Sequence, residues 1–289
     1  MTIDIKKDDL PQTVTPRDLG IYGANTGSEP EFTDRRTGVT YTIDREATQS
    51  RVTVTLPSKT GIVCDSDFTR KGDSSVRLET GLLERQTWNP RNWLDSYMSD
   101  ESLKRQWFYN NTDTPQTLTL EANKAILAID LDKAGGQYVT RRGALAGSAF
   151  KRDDDARIGP AQHDFTFRLN PLFKWLSGDT LVKQSIETSP DRAAIALVTA
   201  KGSVDVREIK PDGHYDLSAK PDSYHGFSSG FSRSWQLRNL GELAGAWYHG
   251  DTLGKLHLKQ TFNEDAPKGS KHFIVIDAGP DQKMEPVPA

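Results

Sequence analysis

The chain has 289 residues, with 37 Lys and Arg against 40 Asp and Glu and a formal net charge of -3. That balance builds no broad basic face, so no nucleic-acid partner is expected. One cysteine excludes an intrachain disulfide, and no apolar run approaches the roughly 20 residues of a helical membrane span.

Residues 1–48 begin Met1-Thr2-Ile3-Asp4-Ile5-Lys6-Lys7-Asp8-Asp9, without the apolar stretch of a signal peptide. The chain is therefore expected to be soluble and to stay where it is made, in the cytoplasm or, for a viral protein, in the virion. Pro11, Pro16, Pro30 and the turn-prone Gly23-Ala24-Asn25-Thr26-Gly27 punctuate this region, leaving one strand-like alternation at Val39-Thr40-Tyr41-Thr42-Ile43. The whole of it reads as an extended N-terminal arm, either a flexible leader or a segment that docks on a neighbouring subunit.

Beyond residue 48 a period of two dominates. Val52, Val54 and Leu56 share one face, as do Val76 and Leu78, Leu118 and Leu120, and Phe165, Phe167 and Leu169. Ile195 with Leu197, Val204 with Val206, and Leu256 with Leu258 continue the pattern. The near-continuous runs Ala125–Ile129 and Phe273–Ile276 suit strands buried on both faces. Only 170–176 and 237–248 suggest helix, the second weakened by Gly241 and Gly245. The Pro-rich end, 279–289, is expected not to continue a sheet. The fold class is accordingly all-β, antiparallel and sandwich-like.

Two markers suggest three diverged tandem copies. A strand runs into a polar turn at Leu56, Leu131 and Ile209, separated by about 75 and 78 residues. A second word, Ser99-Asp100-Glu101-Ser102-Leu103, returns as Ser177-Gly178-Asp179-Thr180-Leu181 and as His249-Gly250-Asp251-Thr252-Leu253, at about the same period. The units read as 49–123, 124–201 and 202–278, between the arm 1–48 and the tail 279–289. In this word Gly and Asp supply turn chemistry, so Asp179 and Asp251 read as structural caps rather than as acids or bases.

The order of features in the second copy resembles the AIM24 family. It runs from Leu131-Asp132-Lys133-Ala134-Gly135 through Val139-Thr140-Arg141-Arg142-Gly143-Ala144-Leu145 to Leu176-Ser177-Gly178-Asp179-Thr180-Leu181. Gly61-Ile62-Val63 with Ser102-Leu103, and Gly250-Asp251-Thr252-Leu253, match more loosely, and the likeness spans about residues 50–278. Two features depart from the family pattern: Ser189-Pro190-Asp191 stands where a Gly-Pro-Gly-type turn would fall, and the long leader is unusual. The resemblance implies a TRAP-like β fold that self-associates, in a family without established catalytic residues.

Site chemistry is sparse. The six histidines, His163, His214, His225, His249, His257 and His272, form no HxxxH pair, and Cys64 has no second thiol, so no metal centre is expected. Asp153-Asp154-Asp155 lacks the ligand spacing and central Gly of a calcium loop, and Asp130-Leu131-Asp132 sits in a repeat turn. No GxSxG, GxxxxGK[ST] or GxGxxG motif occurs, and Cys64 reads as a small packing residue. No catalytic residue and no cofactor is expected. Asn110-Asn111-Thr112 is a glycosylation sequon of little weight without a signal peptide.

Aromatic residues are the open candidates: Trp88 and Trp93, Trp107 and Tyr109, and Trp235 and Trp247. They can fill a core, anchor a protein interface or stack on a sugar ring. Three functions follow. The first is a non-enzymatic structural protein acting through protein–protein contacts, as a homo-oligomer or with other structural proteins. The second is a phage virion component, capsid- or tail-associated, of the same architecture. The third is a carbohydrate-binding module or glycan-active enzyme built on Trp88 and Trp93, which would need paired carboxylates.

Overall fold

The computed structural model describes residues 15–46, 49–72, 76–82, 104–141, 143–151, 183–187, 193–209, 215–217, 224–229, 231–237, 254–260, 271–277 and 285–286. Among them, twenty-two strands, numbered in chain order, form four sheets. A seven-stranded sheet has the order β1 (Ile21–Tyr22), β11 (Ala125–Asp130), β15 (Ile195–Ala200), β13 (Leu145–Lys151), β6 (Thr60–Asp65), β9 (Lys104–Tyr109), β8 (Arg77–Leu82). A six-stranded sheet runs β2 (Gly27–Ser28), β4 (Thr40–Arg45), β5 (Ser50–Leu56), β10 (Gln116–Ala122), β7 (Thr69–Gly72), with β3 (Phe32–Thr33) also paired to β4. The five-stranded sheet is β14 (Lys183–Glu187), β12 (Gln137–Arg141), β18 (Tyr224–Ser228), β21 (Phe273–Asp277), β16 (Val204–Glu208). A four-stranded sheet holds β19 (Phe231–Leu237), β20 (Gly254–Gln260), β17 (Tyr215–Leu217) and β22 (Glu285–Pro286).

Every pairing among these strands is antiparallel, as the sequence reading expected. The sheets stack because their side chains alternate. On β5, Val52, Val54 and Leu56 are buried while Arg51, Thr53 and Thr55 face outward; Leu118 and Leu120 of β10 follow the same rule. These inward residues meet Ile62, Cys64, Phe108, Ile126 and Ala128 of the seven-stranded sheet in one core. The opposite face of that sheet carries Ala125, Leu127, Ile129, Ala196 and Val198. They pack against Tyr138, Ile186, Phe273 and Val275 of the five-stranded sheet in a second core. The seven-stranded sheet is thus a middle layer, and for that reason all six residues of β11 are buried. Each Val, Leu or Ile so buried stabilises the fold by about 1.5–3 kcal/mol.

Residues 16–45 belong to this body rather than to an arm outside it. Pro16–Leu19 form a 3-10 turn capped by Thr15, and Leu19 and Ile21 join the second core. Val39, Tyr41 and Ile43 are fully buried in the first, with β4 hydrogen-bonded between β5 and the short strands β2 and β3. The turn residues read as leader punctuation connect short strands that lie against the core.

Sheets also cross the unit boundaries read from the repeat. β13 pairs with β6 across residue 123, and β12 pairs with β18 across residue 201. Leu56, Leu131 and Ile209, the first marker, are all buried. The second marker, the helical suggestion at 170–176, and Phe165, Phe167 and Leu169 lie outside the described residues, as does the suggestion at 237–248 beyond its first residue, Leu237, which ends β19. The tail does contribute to a sheet: Glu285 and Pro286 pair with Asp216 and Tyr215. A proline is tolerated there because β22 is an edge strand among the described residues. Among the described residues, no helix is long and apolar enough to cross a membrane.

Candidate functional site

Trp107 and Tyr109 stand on one face of β9, two residues apart, and are 9% and 5% exposed. They form a small cluster with Phe150 and Val63, in which Tyr109 meets Phe150 edge-on at 5.2 Å. Rings buried to this degree fill space and offer no stacking platform for a sugar. Trp235 lies on β19 opposite Leu256. Trp88, Trp93 and Trp247 lie outside the described residues.

A cluster of buried polar contacts sits between the middle layer and the five-stranded sheet. Tyr138 of β12 and His225 of β18 are both fully buried, and the Tyr138 hydroxyl lies 2.7 Å from Nδ1 of His225. Nε2 lies 2.9 Å from the Thr199 carbonyl, which can only accept, so Nε2 carries the hydrogen and Nδ1 accepts from tyrosine. Thr140 Oγ1 donates to the His225 carbonyl at 2.8 Å. Burial pushes the imidazole pKa down to about 4. Gly226 permits the approach: a Cβ there would fall 2.4 Å from the Tyr138 hydroxyl.

Beside this pair, Arg141 and Asp277 form an ion pair at 2.8 Å with side chains 15% and 6% exposed. Arg141 also donates to the Thr199 carbonyl at 3.1 Å, while Asp277 accepts the Lys201 amide at 3.1 Å. Arg45 extends the network, donating to the carbonyls of Gly23, Ala24 and Gly202. Strands β12, β15, β18 and β21 are therefore joined through one hydrogen-bonded cluster. Both imidazole nitrogens are hydrogen-bonded inside the core, where the His225 side chain has no exposed surface.

A second polar joint is the turn after β11. Asp130 accepts the amides of Asp132 and Lys133, and Gly136 at φ 87 gives its amide to the Leu131 carbonyl. The outward carbonyls of Lys133 and Ala134 receive the amides of Lys271 and Ser229. Asp132 pairs with Arg36, and Asp34 accepts the amides of Arg36, Thr37 and Ile195. These carboxylates serve backbone donors and a guanidinium. Among the described residues no group of three His, Cys, Asp or Glu could hold a metal ion.

Two other sequence candidates resolve into packing. Cys64 is fully buried, and burial raises its thiol pKa, which opposes nucleophilic behaviour. The sequon residue Asn110 is 1% exposed and donates to the carbonyls of Leu56, Pro57 and Thr114. His225 and Tyr138 were not singled out as a pair in the sequence, being 87 residues apart. The one signal was His225-Gly226 inside a strand-like run, since a strand glycine marks a close approach.

An antiparallel β stack whose layers are tied by buried polar contacts is thus the class that the fold and this region define. The architecture is similar to the crystal structure of protein SPYM3_0169 from Streptococcus pyogenes, a structural-genomics target. The TM-score is 0.51 and the identity 16%, over 83% of this chain and 93% of that one. At that identity the likeness concerns the fold. Neither a protein-family model nor a curated protein sequence matches the chain.

Proposed function

We propose that the protein is a non-enzymatic structural protein that works by associating with further copies of itself, in the manner implied by its resemblance to the AIM24 family. The observation that carries this reading is the commitment of the buried polar groups. His225, Tyr138, Arg141, Asp277, Asp34 and Asp130 each spend their hydrogen bonds on other strands or turns, which builds rigidity rather than a reaction centre. The turn Leu131–Gly136 leading into β12, followed by β13 at Leu145, supports the AIM24-like reading of that stretch. Sheets that end in edge strands supply the means of association, because an edge presents unpaired amides and carbonyls. Multi-angle light scattering on the intact chain tests this: the reading requires a particle heavier than the 32.2 kDa chain, and a monomer across the accessible concentrations contradicts it.

A further inference from the structure

Strand β8 closes one end of the middle layer, pairing with β9 and with no other described strand. It also carries Leu78, which at 44% is the one exposed large hydrophobic residue among those described. On either side of it stand Arg77 and Glu79, whose side chains meet at 3.0 Å. We infer that β8 is the contact by which two copies of this chain pair, strand to antiparallel strand about a two-fold axis at Leu78, joining their middle layers into one continuous sheet. This rests on the self-association proposed above and names its surface.

The backbone phase supports that register. Asn110 gives its amide to the Thr60 carbonyl, so Asn110, Phe108 and Gln106 point their backbone groups at β6. Trp107 and Tyr109 therefore point theirs at β8, bonding Glu79 and Arg77. The amide and carbonyl of Leu78 then face the side of β8 that no described strand covers. In an antiparallel pair centred on Leu78, these groups bond the same residue of the second copy.

Charge selects this register over its neighbours. Centred on Leu78, Arg77 of each copy lies opposite Glu79 of the other, in a non-hydrogen-bonded pair where side chains come closest. Centred one residue either way, Arg77 would face Arg77 or Glu79 would face Glu79. Charges on an edge strand ordinarily block pairing, but a base and an acid flanking one apolar residue make the strand complementary to its own antiparallel copy. Leu78 from both copies would meet at the centre and lose its exposure.

Charge reversal tests this on the intact chain by sedimentation velocity. E79R alone and R77E alone each place like charges in both flanking pairs and should weaken self-association about tenfold. An equimolar mixture of the two variants restores opposite charges only between unlike chains, so the mixture should regain the wild-type sedimentation coefficient. That recovery also shows that both variants are folded. If the wild type associates and E79R associates equally well, the β8 contact is overturned while self-association stands. Failure of the mixture to recover likewise overturns it. A wild-type monomer removes the underlying reading instead.

Discussion

The hydroxyl of Tyr138 gives its hydrogen to Nδ1 of His225 at 2.7 Å, inside a core where both side chains are fully buried. This bond fixes the imidazole tautomer and commits its second nitrogen to the Thr199 carbonyl, tying two adjacent layers together. Tyr138→Phe keeps the ring and leaves Nδ1 without a donor. The expected loss is about 1–3 kcal/mol, the cost of an unsatisfied buried acceptor, read as a lower urea midpoint with an unchanged slope.

His225 also sets a dependence on pH. Its folded pKa, about 4, lies below the ordinary 6.5 because burial disfavours the charged ring. The unfolded chain therefore takes a proton here that the folded chain refuses. The contribution is complete above about pH 6.5 and is lost as the pH falls towards about 4, amounting to about 3 kcal/mol. Urea midpoints measured through that interval should fall more steeply for the wild type than for His225→Gln.

Gly226 should tolerate no side chain. A Cβ would stand 2.4 Å from the Tyr138 hydroxyl and 2.7 Å from the Val139 carbonyl, and the second of these is backbone that cannot swing aside. Gly226→Ala is expected to destabilise the fold by about 1–3 kcal/mol, the usual range for overpacking. A thermal melt compared with the wild type checks this.

The ion pair of Arg141 with Asp277 is shielded from water, so its two ends are not equivalent to a surface pair. Asp277→Ala leaves a guanidinium with 15% exposure uncompensated and removes the acceptor of the Lys201 amide. The expected cost is about 3–5 kcal/mol. Asp277→Asn keeps an acceptor oxygen and should cost less. Chemical denaturation of the two variants side by side separates charge from hydrogen bonding.

What could be read from the sequence followed from local periodicity. Val52, Val54 and Leu56 alternate because one face of β5 meets the core, and Ala125–Ile129 is continuously apolar because β11 lies in the middle layer. Val39–Ile43 also showed its strand period, yet the prolines and glycines around it suggested an arm. What was invisible is that β4 inserts beside β5, a pairing that depends on sheet order and leaves no periodic trace. The same holds for the pairings of β13 with β6 and of β12 with β18, which cut across a repeat register set by short turn words. Trp107 and Tyr109 stay open between core and interface in the sequence because an aromatic run has the same composition in both. Only their placement beside Phe150 shows them packed. His225 and Tyr138 escaped notice for the opposite reason: each is ordinary alone, and the chemistry exists only in their contact.

Sedimentation equilibrium on the full chain, over a concentration series up to about tens of micromolar, tests the central claim most directly. At affinities typical of specific protein association, the account predicts an apparent mass that rises with concentration above 32.2 kDa towards a whole multiple of it. A single species of 32.2 kDa at every concentration would contradict it.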